Sequence, residues 1–365
     1  MAKITQHELA RQLGVSRSTV AAALNPASTI KLRESTRNRI LEAARRQGYR
    51  PDHFARVMRG GRSGAVGMLH FGGLLQVAAE RAFHAATAVR REGYKIVSND
   101  LSWSSESLES ACTWLLDARV EGVIVAGLNL PGAEEELDRF RKANIPIVTL
   151  SGNSLPWAPH FRGDTRKAIY DLTRHLLSLG HTKFALITHQ NTTGEQGTYT
   201  WASKERLLGF EAALKEAGGG IVEALSKTGQ KVEGIRITVS LPHDPFDPFT
   251  PGMHGMQKVL EQKILPTAVI CSNDEYAFGA MKVCREHGIH IPRDLAITGY
   301  DNTTLGRLCE VPLTTVRQPS EEMAEAAVAT LLRMIEGKTV GKKERLFPCE
   351  LILRESSGGP RRTGL

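Results

Sequence analysis

From about residue 64 to residue 356 the chain alternates short apolar runs with longer stretches in which apolar positions recur every three or four residues. The runs are "AVGMLHF", "KIVSND", "GVIVAG", "PIVTLSG", "KFALITH", "GIRITVS", "TAVICS" and "DLAITGYD". Between them lie helical patterns such as "VAAERAFHAATAVRREGY", "SLESACTWLLDARV", "AEEELDRFRKAN", "GDTRKAIYDLTRHLLSLGH", "SKERLLGFEAALKEAG", "GMQKVLEQK" and "EYAFGAMKVCREHG". Apolar strands alternating with helices predict parallel sheets covered on both faces. The pattern runs long enough for two such lobes. Ligands of open parallel sheets sit beyond the carboxyl ends of the strands. The polar residues there are His70 (with Phe71), Ser151, His189, Asn273, Asp274 and Asp301, each of which can equally be a cap or turn residue.

The first fifty residues are patterned differently. In "HELARQLGVSRSTVAAALN", Thr5 and Glu8 have capping-box spacing, Leu9, Ala10 and Leu13 share one face, and Gly14 suits a sharp turn. Ser16 can cap a second helix from Arg17 to about Asn25, with Val20 and Leu24 facing inward. A third helix is expected from a Ser35 or Thr36 cap, with Ile40, Leu41 and Ala44 inward and Gly48 at its end. The small residues Ala10 and Ala23 allow helices to cross closely, and a helix with short exposed side chains fits the major groove of B-DNA. On it, Arg17 can fork onto guanine, Ser16, Ser18 and Thr19 can serve bases or phosphates, and Asn25 can serve a phosphate. Further on, Pro51 blocks helix continuation, Asp52 can cap a short helix over His53 to Arg59, and Gly60 and Gly61 end it. Two turns of helix form only when something holds them.

Charge sharpens this division. Residues 1–64 hold 13 lysines and arginines against 4 acidic residues, while the remaining 301 hold 34 against 35. The excess of positive charge therefore belongs to the first sixth of the chain, as expected of a module with a polyanionic partner. No apolar run approaches the roughly 20 residues of a membrane span, and no signal-peptide pattern opens the chain, so a cytoplasmic protein is expected. Five scattered cysteines without C-x-x-C spacing argue for reduced, mostly buried thiols rather than disulfides or zinc ligands.

The residues Ala10, Gly14, Val15, Ser16, Thr19, Val20 and Asn25 resemble the head signature of the lactose/galactose repressor (LacI/GalR) family. Ala21 stands where serine is usual, and Ala22 where many members carry a base-reading arginine. The resemblance implies a DNA-binding helix-turn-helix domain over residues 1–50, with Thr5, Ser16, Arg17, Ser18, Thr19, Ala22, Asn25 and Thr36 at the DNA. It implies a hinge helix over 51–63, in which Ala55 packs on the twin hinge, Met58 replaces the usual leucine wedge in the minor groove and Arg59 also reaches DNA.

The motifs "RVEGVIVAG", "LLSLGHTKFALI", "ERLLGF", "PTAVICSNDEYAFGAM", "DLAITGYDN" and "PLTTVRQP" extend the resemblance through a two-lobed α/β body of the periplasmic-binding-protein type I kind. The implied body spans 64–356, one lobe combining about 64–162 with 318–342 and the other 163–317 with 343–356, followed by a tail over 357–365. Arg206, Asn273 and Asp301 are the implied hydroxyl-binding trio of an effector cleft, with Ser151, His70 and Phe71 in further pocket positions. The aromatic platform many members carry after the first strand is replaced by Leu75-Gln76-Val77-Ala78, and Tyr199, Trp201, Phe246 and Phe249 are candidate substitutes.

The expected protein is a bacterial, nucleoid-associated homodimer, since the C-terminus lacks the leucine heptads of a tetramerising coiled coil. Its expected partners are a pseudo-palindromic double-stranded operator and a small effector, a sugar or sugar derivative, with no cofactor or metal. A repressor is the leading reading, with a ligand-activated activator beside it. An enzyme is disfavoured because no Walker loop, G-x-S-x-G elbow or H-E-x-x-H is present. A solute-binding receptor without DNA control would share the body but leave the basic head unexplained.

Overall fold

The computed structural model describes residues 4–24, 28, 30–49, 62–71, 75–101, 105–130, 132–190, 200–225, 232–240, 247–341 and 343–358. Its contacts divide the chain into two units, Met1–Ser63 and Gly64–Leu365.

The first unit has three helices, α1 (Gln6–Leu13), α2 (Arg17–Leu24) and α3 (Glu34–Arg46). The capping box forms as its spacing predicts: Glu8 N–H donates to Thr5 Oγ1 at 3.2 Å, and Thr5 N–H donates to the Glu8 carboxylate at 2.7 Å. Those bonds hold the Glu8 carboxyl below its ordinary range. Gly14 takes φ 62°, a left-handed conformation that spares the turn the clash a Cβ would bring. Ser16 Oγ accepts from Thr19 N–H at 3.1 Å and so starts α2. The third helix differs from expectation. It begins two to three residues early, capped by the extended backbone of Arg33 without a side-chain bond, so neither Ser35 nor Thr36 is its cap. Ile40, Ala43 and Ala44 fill its inner face while Leu41 is half-buried, and with Leu9, Ala10, Val20 and Ala23 they make a small core.

The second unit is built on two parallel sheets. The first comprises β1 (Ala65–Phe71), β2 (Lys95–Leu101), β3 (Gly122–Leu128), β4 (Ile147–Gly152), β5 (His160–Gly163) and β12 (Glu344–Phe347), in the order β12-β5-β4-β3-β1-β2. Helices α4 (Gln76–Arg91) and α12 (Ser320–Ile335) cover one face through Ala85, Val89, Met323 and Leu331; α5 (Ser105–Asp117) and α6 (Ala133–Lys142) cover the other through Leu108, Leu115, Leu137 and Phe140. Both faces are dry, so all seven residues of β3 are buried and the strand reads as a continuous apolar run.

The second sheet runs β10-β9-β6-β8-β7, with β6 (Lys183–Gln190), β7 (Gly220–Ile221), β8 (Glu233–Ser240), β9 (Ala268–Cys271) and β10 (Ala296–Thr298). It is covered by α7 (Thr165–Ser178) and α8 (Trp201–Glu216) on one face and by α9 (Thr250–Leu260) and α10 (Asp274–Glu286) on the other. A short α11 (Thr304–Leu308) follows β10, and β11 (Thr315–Arg317) pairs antiparallel with β13 (Glu350–Ile352) between the lobes.

The expected lobe boundary at 343 is displaced. Glu344–Phe347 pair in parallel with His160–Gly163, so this segment completes the first sheet and the chain crosses to the second lobe only afterwards. The three crossings converge: a Cβ on Gly163 would lie 2.7 Å from Cys349 Sγ, 3.8 Å from Gln318 Oε1 and 3.9 Å from Pro319 Cδ. Tyr300, fully buried beside them, places its hydroxyl 3.1 Å from Thr165 Oγ1 and 3.6 Å from Cys349 Sγ.

Candidate functional site

Two sites follow from these elements, one in each unit. In the first, the start of α2 carries Ser16, Arg17 and Ser18 exposed and Thr19 half-buried. The Ser16 hydroxyl lies 2.7 Å from those of both Ser18 and Thr19, so the three hydroxyls form one patch. Gln6 Nε2 donates to Arg17 O at 2.9 Å and ties the start of α1 to the start of α2. Two arginines of α3 face inward to the helix ends: Arg39 donates to Leu13 O at 3.1 Å and Arg37 to Ala23 O at 3.4 Å. They satisfy C-terminal carbonyls of α1 and α2 that have no partner within their helices. Part of the basic charge of this unit is thereby structural, which a count of charges does not reveal.

Ala22 does not reach outward. It is 3% exposed, so its methyl group is packed inside the unit rather than presented to a base edge. Thr36 is half-buried in the first turn of α3. Asn25, Ala55, Met58 and Arg59, and with them the expected hinge helix, lie outside the described residues, as do Tyr199 and Phe246.

In the second unit, the carboxyl ends of both sheets open on the cleft between the lobes. Asp301 follows β10 with φ 112°, is 8% exposed, and accepts a hydrogen bond from Gln318 Nε2 at 2.6 Å. Burial, reinforced by Glu275, pushes its carboxyl up to about 8 against the opposing pull of Arg206. Arg206, on α8, is 7% exposed, lies over the Tyr300 ring at 4.5 Å, and leaves its buried Nε without a partner. Asn273 caps α10, its Oδ1 accepting from Tyr276 N–H at 2.8 Å, which leaves its amide nitrogen for other duty. The cap reading of Asn273 is therefore the one the structure displays. Ser151, at φ 59°, keeps its buried Oγ without a partner. His189, next to last in β6, has Nδ1 unpartnered and its ring edge-on to Tyr276; burial holds it down at about 3, so it is neutral. The structure brings Arg206 and Asp301 within electrostatic reach of each other.

His70 is half-buried, with Nδ1 3.8 Å from Asp100 Oδ1. Phe71 is not a pocket residue. It is 1% exposed and packs with Leu69, Leu101 and Leu128, because alternation along β1 sends residues 65, 69 and 71 into the core of the first lobe. Of the aromatic substitutes, Trp201 lies under Arg162 at 3.7 Å, with its backbone N–H bonded to Asn153 Oδ1 across the lobes. Phe249 instead packs against Phe278.

Two groups that the sequence pattern passes over also face this cleft. Arg81 of α4 is drawn by Asp301 and repelled by Arg206, and its buried Nε has no partner. Gln76 at the start of α4 bridges to the other lobe: its Oε1 accepts from Thr304 N–H at 3.0 Å and its Nε2 donates to Thr304 Oγ1 at 3.1 Å. Among the described residues no cluster of histidine, cysteine or acidic side chains could hold a metal ion. The neighbouring Asp274 is a structural acid, accepting from Thr303 N–H at 2.6 Å and from Thr315 Oγ1 at 2.5 Å.

The profile of "Bacterial regulatory proteins, lacI family" matches residues 5–52, and those of the "Periplasmic binding proteins and sugar binding domain of LacI family" and of the "Periplasmic binding protein-like domain" match 85–241 and 173–357. The transcriptional regulator DegA of Bacillus subtilis is 30% identical over 97% of this chain and 98% of its own. The chain belongs to the LacI family of transcriptional regulators. The repressor CytR of Escherichia coli is 28% identical over 97% of this LacI-family chain and 96% of its own length. The fold matches that of a Lac repressor dimer bound to operator and the anti-inducer ONPF, with TM-score 0.77 at 23% identity over 98% of this chain and 100% of that one. A LacI-family regulator from a Rhodococcus species has TM-score 0.67 at 26% identity over 81% of this chain and 98% of its own. This regulator is accordingly a DNA-binding protein and not an enzyme. No helix among the described residues is long and apolar enough to cross a membrane.

Proposed function

We propose that this regulator is a homodimeric repressor that binds a pseudo-palindromic operator at the bacterial nucleoid, in the cytoplasm, and whose grip is set by a polyhydroxylated effector in the interlobe cleft. The observation that carries the reading is the pairing, in one chain, of an exposed hydroxyl and arginine patch on a recognition helix with a cleft of unpartnered polar atoms around Asp301 and Arg206. Arg17, Ser16, Ser18 and Thr19 read bases and phosphates in the major groove, and Thr5 and Thr36 contact the backbone. Arg206, Asn273, Asp301 and Ser151 take the effector hydroxyls, with His70 at the rim. Of the hinge residues, Ala55 packs on the twin hinge, Met58 wedges into the minor groove and Arg59 also reaches DNA. The effector works through its different affinity for two lobe arrangements.

A groove of about 510 Å³ on the second lobe supports the dimer. Phe278, Met281, Ile289, Leu305 and Val311 line it, and Leu308 is 75% exposed nearby. The test is retardation of genomic fragments by the full chain across a salt series. Neutralising Z phosphates gives a log-log slope of about −0.9Z. A slope near zero, or equal retardation by protein lacking residues 1–63, overturns the reading.

A further inference from the structure

We propose that the effector is an anionic polyol, a compound carrying a carboxylate or phosphate beside hydroxyl groups, with its oxyanion held between Arg81 and Arg206. The inference rests on the cleft being the effector site and deepens that reading. A neutral sugar needs one donor fork and one acceptor for a pair of vicinal hydroxyls, which Arg206 and Asp301 already supply. Arg81 is a second guanidinium, and its charge has no counterpart in that scheme. It reaches over the end of β3, its Nη2 lying 3.6 Å from where a Cβ on Gly127 would sit.

Neither arginine forms an ion pair with a carboxylate among the described residues, and each leaves a buried Nε unsatisfied. Asp301 is occupied elsewhere, accepting from Gln318. Two guanidiniums within electrostatic reach of each other repel, and buried cations without an anion are costly. A bound oxyanion removes both penalties and offers acceptors for bidentate bonds. Burial pushes Asp301 up to about 8, so the acid nearest the two guanidiniums is protonated in most copies at neutral pH and cancels little of their charge. Around this centre Ser151 Oγ, His189 Nδ1 and Ser272 Oγ are buried without partners, a lining suited to hydroxyls.

The experiment is calorimetric titration of the full chain with matched probes: gluconate and glucitol, ribonate and ribitol, glucose 6-phosphate and glucose, ribose 5-phosphate and ribose. We expect at least one anionic probe to bind about tenfold or more tightly than its neutral partner, and the aldonate and phosphate arms tell carboxylate from phosphate. In Arg81→Met the preference should fall to about threefold or less, whereas Arg81→Lys, which keeps the charge, should retain part of it. Thermal melting of both variants checks that they fold. A neutral probe binding as tightly as its anionic partner overturns the proposal, as does failure of every anionic probe or an unchanged preference in Arg81→Met. A probe that binds with the expected preference but leaves DNA retardation unaltered strikes instead at effector control, so the two failures are distinguishable.

Discussion

Asp301 connects the cleft to the crossing strands, because this buried acid is bonded to Gln318, the neighbour of Pro319 where the passages meet. Its raised carboxyl pKa carries a stability consequence. The folded chain keeps a proton that the unfolded chain has released by about pH 4, so this stabilisation is present at low pH and lost as pH rises through about 8. Between pH 6.5 and 9 the melting temperature of the receptor unit should therefore fall. Asp301→Asn, which can still accept from Gln318, should flatten that fall, each such group contributing up to about 1.4 kcal/mol per pH unit. Calorimetric melts across the range check this, and an unaltered slope in the variant refutes it. At the DNA, Arg17→Ala should weaken the preferred operator by about 1–3 kcal/mol while weakening random duplex much less, as read by competition retardation. Residue-level expectations were sound where a group acts locally, as with Thr5, Ser16 and Gly14. They failed where burial decides: Phe71 and Ala22 turn inward, and Arg81, which reads as an ordinary solvated charge on a helix, turns into the cleft.

Among the elements, α4 and α11 meet across the cleft through Gln76, whose amide bonds Thr304 twice while the Glu275 carboxylate accepts the Gln76 backbone N–H. Each such bond is worth about 0.5–1.5 kcal/mol net. Gln76→Ala should speed amide hydrogen exchange at Thr304 several-fold and weaken effector binding, with the cores of both sheets unaffected. Unaltered exchange at Thr304 would show that the bridge does not hold the lobes. The strands legible beforehand were those with apolar runs buried on both faces, such as β1, β3, β6 and β9. The short ones, β5, β12 and β13, are three to four residues long, and β12 is exposed along three of its four residues. Their placement comes from tertiary pairing rather than from pattern, which is why the lobe boundary fell on the wrong side of β12.

For the whole molecule, the division of charge and of contacts coincide closely: a basic unit of three helices ends where a near-neutral receptor begins. If the receptor groove joins two copies, Leu308→Asp should convert the sedimenting species from dimer to monomer. It should also lower operator affinity, because two half-sites are then no longer bound as one. A dimer that persists in this variant would place the interface elsewhere. The fold class was readable because short continuous apolar runs alternate with stretches of period 3.6 through nearly the whole receptor; the order of strands at the sheet edge and the bridging of the cleft depend on distant partners and were not.

All three chain passages between the lobes meet around Gly163, where even one added methyl would press on the sulfur of Cys349. Such a junction acts as an axle. Sliding or separating the lobes would stretch three strands at once, whereas turning one lobe about that point strains none of them much. Energy gained at the cleft is thus channelled into a single rotation, and in a Gly163→Ala chain the Cys349 side chain must give way at the very point about which the lobes turn.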